Sequence, residues 1–218
     1  MPPERGLRRR RVRIGRSPIL SSPASSAQGP WAELRPLLDE RFVILDTETT
    51  GLLAPELVSV AVVDRRGRTV LSEMVRPAKP IEPEASRISG ITMESVADRP
   101  EFPAVAADVS RALAGRLVVI YNAAYDTQVL RNTYARYGIE LPGFRPWCAM
   151  EWFARLNGDW DEARGAYVWQ SLSKAAAYFG VTQELAHSAV ADCLTTWRIL
   201  EEAFRRSGLR VPGMEPLL

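Results

Sequence analysis

From Trp31 onward, apolar residues recur either at every second position or at every third and fourth, the spacings of strands and of amphipathic helices. A short amphipathic segment, Trp31 to Leu38, leads into an apolar run that predicts a strand over 41–47. Leu57-Val58-Ser59-Val60-Ala61-Val62-Val63 predicts a second strand, and Asp64-Arg65-Arg66-Gly67 a turn into a third over 69–75, together a hairpin. Pro77, Pro80 and Pro83 mark an extended loop across the surface. Short helices are expected around 84–97 and a longer one over 102–114. Leu117-Val118-Val119-Ile120-Tyr121 is apolar almost throughout, as in a central strand covered on both faces. A helix over 126–137 ending near Gly138, a strand over 145–149 and helices over 150–156, 171–179 and 188–206 complete the series. In the last helix Val190, Leu194, Trp197, Leu200 and Phe204 mark the buried side. A hairpin followed by alternating helices and strands predicts an α/β fold, a mixed sheet covered by helices.

Composition narrows this picture. A chain of 218 residues can bury a good core and reads as one domain over 30–208, with a disordered tail over 1–29 and a short tail over 209–218. No apolar run is long enough to cross a membrane, and arginines stand where a secretory signal would need an apolar segment. Cys148 and Cys193 lie far apart among apolar residues and are expected to be reduced, packed thiols of a cytoplasmic protein. One histidine and two isolated cysteines argue against a structural zinc site. Seven arginines against Glu4 give residues 1–16 a charge of +6, which leaves −4 on the other 202 residues for a net +2. The tail suits loose phosphate binding or a solvated extension, and both readings are open.

Candidate chemistry sits in three short segments. Asp46 and Glu48 lie two apart at the end of the 41–47 strand and therefore share a face. Like charges held that close repel unless a cation lies between them, so the pair reads either as half of a metal site or as an acidic turn. Asp126, at the start of a helix just past the 117–121 strand, is either a helix-dipole carboxylate or a partner for that pair. It reaches the same sheet edge if the two strands are neighbours. His187 and Asp192 cannot converge from one helix, because residues five apart diverge by about 140°. They can if His187 precedes a helix capped by Ser188. Taken together, Asp46, Glu48, Asp126 and Asp192 supply oxygen ligands of the kind Mg²⁺ or Mn²⁺ prefers, and His187 a group that takes a proton near neutral pH. Two such ions about 4 Å apart can hold the attacking and leaving oxygens of a phosphodiester.

At these segments the chain resembles the DEDDh 3′–5′ exonucleases, the ribonuclease-H-like family that includes the proofreading subunit of bacterial DNA polymerase III. The first motif is matched by Asp46-Thr47-Glu48-Thr49-Thr50-Gly51, the second by Asn122 to Asp126 and the third by His187 through Asp192, within roughly residues 40–205. The resemblance implies a three-layer α/β domain with a five-stranded mixed sheet, its second strand antiparallel, and helices on both faces. It implies two divalent ions held by Asp46, Glu48, Asp126 and Asp192, with His187 deprotonating the attacking water. Backbone amides near Thr49 and Thr50 would meet the terminal nucleotide, Leu52 would pack on its base within the Thr49-Thr50-Gly51-Leu52 turn, and Asn122 would support the second motif. Many relatives carry histidine where this chain has Tyr121 and Ser89; neither position is among the five catalytic ones.

The expected activity is release of nucleoside 5′-monophosphates from 3′ ends of single-stranded DNA or RNA. The alternative is a non-catalytic module that grips a nucleic-acid end or a polymerase, which predicts loss of at least one metal ligand; none is lost. Ten residues after Gly208 are too few for a substantial polymerase-docking tail, so a stand-alone exonuclease is expected over a proofreading subunit, with a DNA polymerase kept as a candidate partner. Trp147, Trp152, Trp160 and Trp169 cluster in a segment that reads as core, as an interface or as a platform for bases, and the oligomeric state is left open.

Overall fold

The computed structural model describes residues 29–39, 41–183, 188–211 and 214. Five strands form one sheet in the order β3-β2-β1-β4-β5. These are β1 (Val43–Thr49), β2 (Leu57–Asp64), β3 (Thr69–Met74), β4 (Leu117–Ile120) and β5 (Arg145–Cys148). The short connection from β2 to β3 forces an antiparallel hairpin, whereas β1 and β4 pair in parallel across a helical crossover. Only β2 runs against the other four, as expected. Pro146 lacks an N–H to donate and sits in β5, an edge strand, where that loss is tolerated.

Strands β1, β2 and β4 alternate their side chains between two apolar layers. Phe42, Ile44, Ala61, Val63, Val119 and Tyr121 face α5 (Ala149–Asn157), α6 (Leu172–Phe179) and α7 (Ala189–Ser207). Val43, Leu45, Val60, Val62, Val118 and Ile120 face α3 (Phe102–Leu113) and α4 (Ala123–Arg136). This three-layer α/β arrangement is the ribonuclease-H-like fold expected from the sequence. Gly67, at φ 74° in the β2–β3 turn, lets the turn close on Trp197, whose ring would lie 3.1 Å from a Cβ there. The Trp197 indole then donates to the Arg65 carbonyl at 3.0 Å, pinning α7 to the hairpin.

Several boundaries differ from expectation. Of the short helices expected around 84–97, only α2 (Pro83–Ser89) forms, and the chain turns through 93–98 around the buried Val96. Helix α4 begins at Ala123 because the Asn122 carbonyl already accepts from the amides of Tyr125 and Asp126. In α7, Val190 and Leu194 are only half-buried; Cys193, Trp197, Ile199, Leu200, Ala203 and Phe204 carry the buried face. A two-stranded hairpin, β6 (Trp160–Asp161) with β7 (Ala166–Tyr167), was not legible in the pattern. The disorder expected over 1–29 falls on residues outside those described, apart from Gly29, which opens the turn Pro30–Leu34 ahead of α1 (Pro36–Asp39). No helix among the described residues is long and apolar enough to cross a membrane.

Candidate active site

Strand β1 delivers its polar end to the point where α4 and α7 begin. The alternation that sends Ile44 toward α7 sends Asp46 and Glu48 the same way, while Thr47 follows Leu45 toward α4. Helix α7 is fixed against β1 by Cys193, a free and fully buried thiol lying 3.6 Å from the Ile44 carbonyl and 3.5 Å from that of Ala61. Its first turn is set by Ser188, whose hydroxyl accepts from the Ala191 amide at 3.3 Å. Asp192 therefore comes to Asp46 and Glu48: one carboxylate oxygen from each lies within 4.8 Å of the others.

Asp126 stands in the first turn of α4, 4 % exposed, and accepts from the Thr47 hydroxyl at 2.7 Å. It lies outside the 4.8 Å set yet near enough to act on it electrostatically. Burial pushes the Asp46 carboxyl well above its usual range, and Asp126, Asp192 and Glu48 push it further. Burial, Asp192 and Asp126 raise Glu48 to about 7. Burial raises Asp126 to about 6 against the opposing Thr47 hydrogen bond. The donors that this cluster offers are all hard carboxylate oxygens. It fits a divalent cation of the Mg²⁺ or Mn²⁺ type.

The turn after β1 is braced by residues that sequence reasoning did not single out. The Tyr125 hydroxyl lies 2.7 Å from Thr49 Oγ1 and donates to the Gly51 carbonyl at 3.0 Å. The Glu82 carboxylate occupies the space beside Gly51 where any Cβ would sit, which together with φ 154° restricts the position to glycine. Thr50 corrects an expectation: its amide donates to the Glu56 carbonyl at 2.9 Å and its hydroxyl accepts from the Glu56 amide at 3.0 Å. Both groups are spent inside the fold, so the Thr50 amide is not offered to a ligand. Glu56 in turn is held by the Ala78 and Lys79 amides and by Arg136. Leu52 is 80 % exposed beside this turn, and Asn122 is exposed at the start of α4.

Gln183 was also unforeseen. Its side chain accepts from the Ser173 hydroxyl at 2.8 Å and donates to Asp192 Oδ1 at 3.3 Å. Tyr121 and Ser89 have structural uses. The Tyr121 hydroxyl donates to the carbonyls of Gln170 and Ser171, and Ser89 accepts from the Ile91 amide past the end of α2. His187 lies outside the described residues.

The sheet order and the carboxylates at the β1, α4 and α7 termini define a ribonuclease-H-like domain with an acidic cluster at one end of its central strands. Residues 43–200 match the family model described as Exonuclease, and the chain belongs to that family. An uncharacterized exonuclease of Escherichia phage 186, CP81, is 38% identical over 75% of this chain and 88% of its own length. Exodeoxyribonuclease 10 of Escherichia coli K12 is 31% identical over 76% of this chain and 69% of its own. The DNA polymerase III epsilon subunit of Treponema pallidum is 35% identical over 69% and 70%. Among solved structures, Exonuclease X in complex with 5′ overhanging duplex DNA superposes with a TM-score of 0.58 at 28% identity, covering 79% of this chain and 96% of that one. E. coli Exonuclease I with a dT13 oligonucleotide, at 19% identity and a TM-score of 0.61, shares the fold over 77% of this chain and 42% of its own.

Proposed function

We propose that this exonuclease is of the DEDDh type, removing nucleotides one at a time from 3′ ends of single-stranded DNA and releasing nucleoside 5′-monophosphates. The observation that carries this reading is the convergence of Asp46, Glu48 and Asp192 within 4.8 Å, with Asp126 acting on them from α4. Asp46, Glu48, Asp126 and Asp192 would hold two divalent ions, Mg²⁺ or Mn²⁺, which when bound stabilise charge on the attacking and leaving oxygens.

This chain's residues account for the rest. His187, next to the Ser188 cap that fixes the start of α7, accepts the proton of the attacking water. The water oxygen bonds to phosphorus as the bond from phosphorus to the upstream 3′ oxygen breaks. That oxygen takes a proton from solvent and becomes the new 3′ hydroxyl. Thr49 and Gly51, braced by Tyr125, seat the terminal nucleotide with Leu52 against its base and Asn122 beneath the second motif. The free cysteines suit a cytoplasmic setting. Relatives named as an exodeoxyribonuclease and as a polymerase subunit leave a polymerase partner a matter for co-purification.

The test is incubation of the purified protein with a 5′-labelled oligonucleotide and Mg²⁺ or Mn²⁺. Stepwise shortening is expected from wild type and none from Asp46→Asn; equal cleavage by both overturns the reading. Activity is expected to rise with pH through the histidine range, and full activity in His187→Ala removes His187 from its role. Matched DNA and RNA oligomers decide whether the 2′-hydroxyl is accepted. Metal-independent binding without turnover would support a binding module instead.

A further inference from the structure

We propose that Trp169 is a stacking platform for a base of the substrate strand upstream of its terminal nucleotide. The proposal rests on the exonuclease reading above and adds a residue which that reading does not use.

Of the six tryptophans, Trp152 and Trp197 are buried and Trp31, Trp147 and Trp160 half-buried, whereas Trp169 is 62 % exposed. A large, flat, apolar ring left in water is the feature of this segment that the core does not explain. The backbone before and after it is held by hydrogen bonds. The Val168 amide donates to the Asp159 carbonyl at 2.8 Å. Gln170, 6 % exposed, donates its side-chain amide to Asp159 and to the Val168 carbonyl. Tyr121 donates to the Gln170 and Ser171 carbonyls at 3.0 and 2.9 Å, and Ser171 then caps α6 by accepting from the Lys174 amide. The indole is thus displayed on a clamped strap, an arrangement that lowers the ordering cost of binding.

The strap is linked to the acidic cluster at two points. Tyr121 stands one residue beyond the last β1–β4 register pair, Leu45 with Ile120, which sets it beside Asp46 on the α7 side of the sheet. At the other end, the Ser173 hydroxyl reaches Asp192 through Gln183. On this placement, a strand whose 3′ end lies at Asp46 and Asp192 would leave past residues 169–173. Every base presents a π-face, so an indole there grips strands with little regard to sequence.

The experiment compares full-length wild type, Trp169→Ala and Trp169→Phe with Mn²⁺ on two substrates, a single-stranded oligomer and thymidine 5′-(p-nitrophenyl phosphate). The second carries one nucleotide and has no upstream base. Loss of one base stack corresponds to about a 5- to 150-fold weakening. Trp169→Ala is expected to raise the oligomer KM, and the oligomer Kd measured by anisotropy with Ca²⁺ in place of Mn²⁺, by a factor in that range. Its kcat and its hydrolysis of the ester are expected to stay at wild-type levels, and Trp169→Phe to retain most of the grip. An unchanged oligomer KM and Kd in Trp169→Ala overturns the proposal. So does an equal loss on the ester, which would place Trp169's effect at the reacting phosphate. Absence of both activities in wild type refutes the exonuclease reading, and the Kd comparison still decides on Trp169.

Discussion

Thr47 Oγ1 donates to Asp126 Oδ1 at 2.7 Å, joining residues 79 apart in the chain. Thr47 lies between two carboxylates in sequence yet serves a third on the opposite side of the sheet. It orients Asp126 and opposes the burial that drives its carboxyl up to about 6. Thr47→Val keeps the shape and removes the donor. It is expected to destabilise the protein by about 1–3 kcal/mol and to raise Asp126 further. Urea denaturation and Mn²⁺ titration measure both effects; an unchanged midpoint with unchanged Mn²⁺ affinity would show that the bond does neither.

The acidic cluster makes stability depend on pH in an unusual direction. Glu48 moves from 4.5 to about 7 on folding, and Asp126 from 3.8 to about 6. The native state therefore holds protons that the unfolded chain has released. The stability these groups contribute is full below their unfolded values and is lost as pH rises through about 7. Without metal, the Tm is expected to fall as pH is raised from about 4.5 to about 7; saturating Mn²⁺ should flatten or reverse that fall, because cation replaces proton. Thermal melts in EDTA whose Tm rose over that interval would contradict the charge cluster.

Gln183 holds Asp192 from outside the ligand set. Partners of this kind orient ligands, and their loss commonly weakens metal affinity by about 10–100-fold. Gln183→Ala is expected to fall in that range by calorimetric Mn²⁺ titration. Ser173→Ala, one hydrogen bond further out, should show a smaller effect of the same sign. Wild-type affinity in Gln183→Ala would demote the contact to packing.

Tyr121→Phe keeps the buried ring and removes one donor shared by two carbonyls. It should cost about 1 kcal/mol, with faster amide hydrogen exchange confined to the strap over 168–171. Unchanged exchange there would mean that the strap is held by Asp159 and Gln170 alone.

Much of this was legible because it depends on local periodicity. The alternation through β1 placed Asp46 and Glu48 on one face, and the apolar run 117–121 foretold the central strand found over Leu117–Ile120. What escaped depends on tertiary neighbours. The Thr50 amide was expected near the terminal nucleotide but donates to Glu56, six residues on. Tyr125 preceded a recognised carboxylate, yet its bond to Gly51 exists only once α4 docks beside β1. The β6–β7 hairpin has two residues per strand, too short for any alternation to register. Val190 and Leu194 follow the helical spacing of α7 but fall at the margin of its buried face, which centres on Cys193 and Trp197.

The two apolar sides of β1 also bear on how the chain aligns itself. Val43, Ile44 and Leu45 are all buried, so hydrocarbon alone discriminates weakly between the native pairing and a slip by one residue. Such a slip would turn Thr47 and Thr49 toward α7 and drive Asp46 and Glu48 toward Asp126 among the side chains of α4. Burying two more acids there, away from Asp192, is the costly outcome. The acidic pair is thus the register mark of its own strand: the residues offered to a cation are those that make a misaligned sheet unprofitable.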